Sequence, residues 1–325
     1  MDVVCLGLMV CDILVKPVTR DILEKDSSRV DFVKMSSGGD AFNVAVDLAK
    51  MGISSGIIGK IGNDGFGNFL LDTAAKNKIE TKGVVITGEC GTSTSIVMIH
   101  PDGERSFAFY GGSTDQLREE DVNLRMLKGV KILSVGSAFG LPGLDGSGLA
   151  GVLKHSRESG IKTVLDVTCS PDKNSMEILK PALGYTNIFI PSYNEARGLT
   201  GKQSLEEMAG ELLKHGVQIV VIKMGKEGCY IQTGNDKMTI PAFKVDAVDT
   251  TGAGDSFVAG FIAVYLRGLS LYDCGRFANA AGAMCVREVG ATTGIRSMKE
   301  IESFRRERNE DAISNNERNI NSGKA

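Results

Sequence analysis

The chain has 325 residues, of which 42% are hydrophobic, enough for a substantial core in about two domains or one large α/β domain. Its 37 basic residues against 40 acidic ones give a net charge of −3, which leaves no electrostatic footprint for nucleic acid. The seven cysteines are scattered, with no Cys-x-x-Cys pair, so the pattern argues against a zinc site or disulfide framework and for a reducing cytoplasm. Val3 to Leu8 reads as a buried first strand: it lacks the basic flank of a signal peptide, and no apolar run is long enough to span a membrane. Asp12 has two readings, a turn cap or a hydroxyl-binding carboxylate at a strand end. Residues 13–36 hold strand-like segments at 13–15 and 30–33 around a charged stretch, and look like an addition to a core.

The segment from Ser36 to Gly52 follows. Phe42, Val46 and Ala49 fit one helical stripe, with Gly52 as its C-cap. Gly38 and Gly39 just before that helix let ligand hydroxyls approach the backbone. Asn43 on its first turn offers both a donor and an acceptor. Residues 57–67 read as strand, turn and helix start. Two strand-like runs, 94–99 and 105–109, flank Pro101-Asp102-Gly103 and predict a hairpin.

From residue 131 strands and helices alternate. Apolar runs at 131–135, 163–167, 188–190 and 219–222 alternate with helices near 146–159, 174–183, 195–199 and 204–215. Such continuous runs are strands buried on both faces, as in a mostly parallel sheet between helix layers. Ligands then bind beyond the carboxyl ends of the strands, where Asp166, Glu195, Lys223 and Gly225 fall. The turn from Lys223 to Gly228 could equally be a plain hairpin. The small residues of 277–283, around Asn279, allow close packing against a helix or an adenine face. Residues 310–325 are polar and expected to be frayed or disordered.

The most informative string is Asp249-Thr-Thr-Gly-Ala-Gly-Asp-Ser-Phe257. The apolar run after it predicts a helix buried on most sides. Its first turn would carry Gly252, Ala253 and Gly254, whose unpaired amides and lack of bulk suit an anion. Asp255 beside them would repel that anion, and its use would be to take a proton from an attacking hydroxyl. The bland reading is a tight turn with Asp255 as its cap.

This string resembles the second signature of the ribokinase (PfkB) family of carbohydrate kinases. Gly38-Gly39-x-x-x-Asn43, followed by the glycine spacing of residues 59–67, resembles the first. The resemblance covers roughly residues 3–300 and lies closest to the uncharacterised bacterial sugar-kinase branch. It implies a ribokinase-like three-layer α/β/α sandwich with a mostly parallel central sheet and a small β lid. The expected core is residues 1–12, 37–91 and 113–309, and the expected lid 13–36 and 92–112, through which the chain would form a homodimer. The implied activity is ATP-dependent phosphorylation of a hydroxyl on a small sugar or sugar-acid substrate. Asp255 would be the base, and Gly252, Ala253 and Gly254 the anion hole. Asp12, Gly38, Gly39, Asn43 and Arg105 would bind substrate. Ser192, Lys223, Gly225, Gly228 and Asn279 would hold ATP, and Glu195 would serve its Mg²⁺. Asp249, Thr251 and Gly290 would hold K⁺.

Ser192 stands where the family's Asn-x-x-Glu motif has Asn, and its shorter hydroxyl would weaken a phosphate contact there. Three departures from the ribose-specific pattern argue against ribose itself: Asp40 where those members have Lys, Val10 where they have Asn, and Gly136-Ser137-Ala138 where they place a glutamate. Two other classes fit parts of the pattern. One is a non-catalytic sugar sensor, which would need neither Asp255 nor Glu195. The other is a nucleoside kinase, whose base would want an apolar wall from Phe42, Phe107, Phe109 or Phe139.

Overall fold

The structure is a computed structural model in which residues 1–168 and 174–308 are described. The polar segment 310–325 lies outside the described residues. The first half of the chain runs β1 (Val3–Leu6), β2 (Val10–Lys16), β3 (Phe32–Gly38), α1 (Asp40–Lys50), β4 (Ser55–Gly62), α2 (Gly65–Lys76), β5 (Glu80–Thr87), β6 (Thr94–Ile99), β7 (Arg105–Tyr110), α3 (Gly112–Asp115) and β8 (Ile132–Ala138). The second half runs α4 (Ser147–Glu158), β9 (Lys162–Val167), α5 (Ser175–Leu183), β10 (Ile188–Phe189), α6 (Tyr193–Thr200), α7 (Leu205–Lys214), β11 (Ile219–Lys223), β12 (Cys229–Gln232), β13 (Lys237–Ile240), α8 (Ala253–Tyr265) and α9 (Leu271–Cys285).

Successive side chains of a strand point to opposite faces, and here both faces are apolar. Val3 and Cys5 of β1 join a core with α1, α8 and α9, whereas Val4 and Leu6 join a second core with α4 to α7. The result is a nine-stranded sheet of order β13-β12-β11-β10-β9-β8-β1-β4-β5 between two helix layers. It is parallel from β11 to β5, while β12 and β13 run antiparallel at one edge. The expected three-layer fold is therefore the observed one. Helix α8 is buried along Ser256 to Val264 and packs on α9. Each fully buried Phe there, such as Phe261 and Phe277, contributes about 1.5–3 kcal/mol through removal from water.

A separate four-stranded sheet has the order β3-β2-β6-β7. Asp12 is not at the end of the first strand, as the sequence reading has it. It lies inside β2, which pairs from Val10 with β3 and from Cys11 with β6. Backbone pairing thus carries the small sheet three residues towards the N-terminus of the expected segment 13–36. The register puts Asp12, Ser95 and Phe109 in one row and Leu14, Val97 and Phe107 in the next, on the same face as Arg105. The opposite face carries Ile13, Val15, Val33, Met35, Ile96 and Met98, of which Val33 is 62% exposed.

Candidate active site

The site is built around the N-terminus of α8. Gly252 is the N-cap residue, left-handed at φ 77°, and a Cβ there would lie 2.1 Å from the Ala291 carbonyl oxygen. Only glycine fits both the backbone conformation and the contact. Ala253 begins the helix, and a Cβ on Gly254 would be 3.5 Å from Lys223 Nζ, so an ammonium stands beside the amide cluster. Lys223 ends β11 and is ion-paired with Asp166 of β9. Burial disfavours its ammonium, but the carboxylates of Asp166, Glu195 and Asp255 outweigh that and hold it above the usual lysine range.

Asp255 sits on the first turn of α8, as the string predicts. Its Oδ2 accepts a hydrogen bond of 2.8 Å from Asn43 Nδ2 of α1. Burial, and then the charge of Asp40, push its carboxyl well above the ordinary range, against the Asn43 hydrogen bond and Lys223. Asn43 is 4% exposed, and its Oδ1 has no partner among the described residues. That acceptor is aligned by the same amide that holds Asp255. The Asp12 carboxyl is pushed up to about 7, by burial first and then by the charge of Asp40. It lies against Gly38, where a Cβ would come within 2.3 Å of Asp12 Oδ2. Gly39 is the N-cap of α1 and forms the turn between Asp12's neighbour strand and Asn43.

The structure brings here three residues that the sequence reading did not count among the substrate, nucleotide or catalytic residues. Asp40 accepts a 2.7 Å hydrogen bond from Ser137 Oγ. Ser137 and Phe139 at the end of β8 both have left-handed φ, 73° and 74°, an unusual conformation for non-glycine residues. Asp166 is the third, the ion-pair partner of Lys223. Asp166 had a signal, its place at a strand end. Ser137 had none, because backbone strain is invisible in sequence.

Beside the α8 terminus opens a cavity of about 610 Å³ lined by Lys223, Gly225, Gly228, Ala253, Gly254 and Asn279, with an apolar wall from Phe243, Val245, Phe257, Ala283 and Val286. Asn279 donates to the carbonyls of Ile240 (3.0 Å) and Pro241 (3.2 Å), so it fixes the wall as well as lining it. Ser192 and Glu195 form a capping box on α6. Glu195 accepts from Ser192 N at 2.6 Å, and Ser192 Oγ accepts from Glu195 N at 3.3 Å. The serine that departs from the family pattern therefore satisfies a helix end, and the box fixes the direction of the Glu195 carboxylate. One oriented carboxylate suits a Mg²⁺ that arrives on phosphates and keeps several waters.

The corner expected to hold K⁺ is different. Asp249 Oδ1 accepts from Thr251 N at 2.7 Å and from Arg105 Nη2 at 2.5 Å, and its Oδ2 accepts from Gly290 N at 2.9 Å. Arg105 also donates to Thr251 Oγ1. Burial pushes the Asp249 carboxyl up, but these donors outweigh it and hold it below the usual range. Asp249, Thr251 and Gly290 are brought together as expected. Two of these donors sit on Oδ1 and one on Oδ2, and the Arg105 guanidinium already brings to this corner the positive charge that K⁺ was expected to supply. Arg105, expected at the substrate, is the group that takes its place.

Comparison with known proteins gives a consistent result. A profile described as pfkB family carbohydrate kinase matches residues 1–298. The chain is 30% identical over 308 residues to probable fructokinase-5 of Arabidopsis thaliana, covering 90% of this chain and 94% of that relative. It is 29% identical over 276 residues to a ribokinase of Staphylococcus aureus, covering 82% and 88%. Its fold is similar to that of a putative ribokinase II from E. coli solved in complex with ATP and Mg²⁺, with a TM-score of 0.81, 23% identity and coverage of 93% and 98%. Among the described residues, no helix is long and apolar enough to cross a membrane.

Proposed function

The chain belongs to the pfkB family of carbohydrate kinases and is an ATP-dependent carbohydrate kinase, and we propose that it transfers the γ-phosphoryl group of ATP to a hydroxyl of a small sugar or sugar acid with Asp255 as general base. The observation that carries this reading is Asp255 itself. It is a half-buried carboxylate of raised basicity, oriented by Asn43, on the first turn of a glycine helix terminus that opens on a large cavity.

In this reading Asp255 takes the proton of the acceptor hydroxyl as its oxygen bonds to the γ-phosphorus. The bond to the β,γ-bridging oxygen breaks, and ADP leaves. The amides of Gly252 to Gly254 and the Lys223 ammonium stabilise charge on the phosphoryl oxygens. The wall of Phe243, Val245 and Ala283 takes the adenine, with Gly225, Gly228 and Asn279 around it. Glu195, with Ser192 beside it, would hold the Mg²⁺ that comes with the nucleotide, and that ion would offset charge on the phosphates. Asp12, Gly38, Gly39 and Asn43 receive substrate hydroxyls, all of them as acceptors or as open backbone.

The test is ADP release across a panel of ketoses, aldoses, sugar acids and nucleosides. Turnover on a sugar or sugar acid is expected. Turnover confined to nucleosides would replace the sugar reading, and ADP release on none of them would remove the proposed transfer. The apolar outer face of the small sheet supports a homodimer through it, and sedimentation as a monomer would exclude that. The scattered cysteines support a cytoplasmic enzyme; a structural disulfide in protein isolated from cells would count against it.

A further inference from the structure

We infer that Arg105 is a positioning residue whose guanidinium supplies the positive charge at Asp249, ties the small sheet to the anion-hole loop, and makes the enzyme independent of monovalent cations. The inference rests on the kinase reading for its rate measurements but not for its stability measurements.

Asp249 is 5% exposed, and a carboxylate buried to that degree needs a compensating charge. Its two oxygens take two backbone amides and one guanidinium nitrogen, and the second guanidinium nitrogen reaches Thr251 Oγ1. A planar fork can span two acceptors in this way, whereas a spherical ion needs a cage of oxygens around it. The surrounding carbonyls are engaged too. Lys50 Nζ donates to the Thr292 oxygen at 2.6 Å, and the single S–H of Cys285 faces the oxygens of Thr251 and Ala291, with Sγ at 3.4 and 3.3 Å from them. Two side-chain cations therefore serve this corner.

The consequence follows from connectivity. Thr251 immediately precedes Gly252, which is wedged against Ala291, so fixing Asp249 and Thr251 fixes the amides of Gly252 to Gly254. Arg105 is the first residue of β7, on the same face of the small sheet as Asp12. Any movement of that sheet away from the core pulls the guanidinium off Asp249. The anion hole is complete only when the sheet that carries Asp12 is in place.

The experiment compares the native enzyme, Arg105→Ala and Arg105→Lys in chlorides of potassium, sodium and tetramethylammonium at equal ionic strength. Turnover and thermal midpoint of the native enzyme should be the same in all three salts. Arg105→Ala should lose about tenfold or more in kcat with little change in KM for the sugar, since a loosened loop misplaces the amides. Potassium should raise both its rate and its midpoint, and tetramethylammonium should do neither. Arg105→Lys, which keeps the charge, should stay indifferent to the salt. Stimulation of the native enzyme by potassium overturns the inference. So does an Arg105→Ala loss that falls on KM for the sugar alone, which would make Arg105 a substrate contact. If no sugar is turned over by any form, the kinase reading has failed, and the midpoints still decide the role of Arg105: identical salt responses of native and Arg105→Ala protein overturn it.

Discussion

The two sides of the α8 terminus are opposites. On the acceptor side, Asp12, Asp40, Asp255 and Asn43 Oδ1 present oxygens, and two of the carboxylates are raised by burial and mutual repulsion. On the nucleotide side, the lining includes the ammonium of Lys223, glycine backbone, Asn279 and a wall of apolar side chains. The proposed function accounts for the contrast. A sugar hydroxyl is a donor that must lose its proton, and would be met by bases. A phosphate is a charged acceptor, and would be met by donors. An adenine offers flat area, and would be met by small and aromatic residues. Arg105 obeys the same division: it lies on the sheet face of Asp12, yet its charge goes to the loop behind the anion hole and not to the acceptor oxygens.

The largest break in this contrast is Asp255→Asn. Shape and the partner Asn43 remain, but basicity is lost, and kcat should fall by about 10²–10⁴ while ATP affinity stays at the native value. Turnover within a few-fold of native, measured by coupled ADP assay, would show that the base lies elsewhere. Asp12→Ala acts on the acceptor side alone. Leaving a sugar hydroxyl unpaired should cost about 1–3 kcal/mol of sugar binding, read as a higher KM for sugar at unchanged KM for ATP. An unaltered KM for the sugar would remove Asp12 from the substrate set. Ala283→Leu is the mirror experiment and the smallest effect. Filling the apolar wall should raise KM for ATP by roughly tenfold, about 1.4 kcal/mol, and leave sugar KM alone. A matching rise in sugar KM would mean that the two sides are not separate.

Some of this was readable from the chain. The α8 terminus is local: one stretch of sequence contains the N-cap Gly252, the amides and Asp255 in helical order, and the apolar run that follows can only be buried. The layered fold was readable for a related reason, since continuous apolar runs must be covered on both faces. Asp12 was legible as a candidate but misplaced. Strand ends are set by pairing, and β2 pairs with β3 and β6, which lie in other parts of the chain. Ser192 looked like a weakened phosphate contact because its cap with Glu195 depends on where α6 begins.

The sequence by itself determined the buried strands, the helix terminus and the place of Asp255 on its first turn, because each depends on residues within a few positions of one another. Tertiary structure alone decided the electrostatics. Asp40 reaches Asp12 and Asp255 only because α1 packs beneath both the small sheet and α8. Arg105 finds Asp249 across a separation of 144 residues. No periodicity or spacing encodes that pair, since it exists only once two sheets have closed on each other.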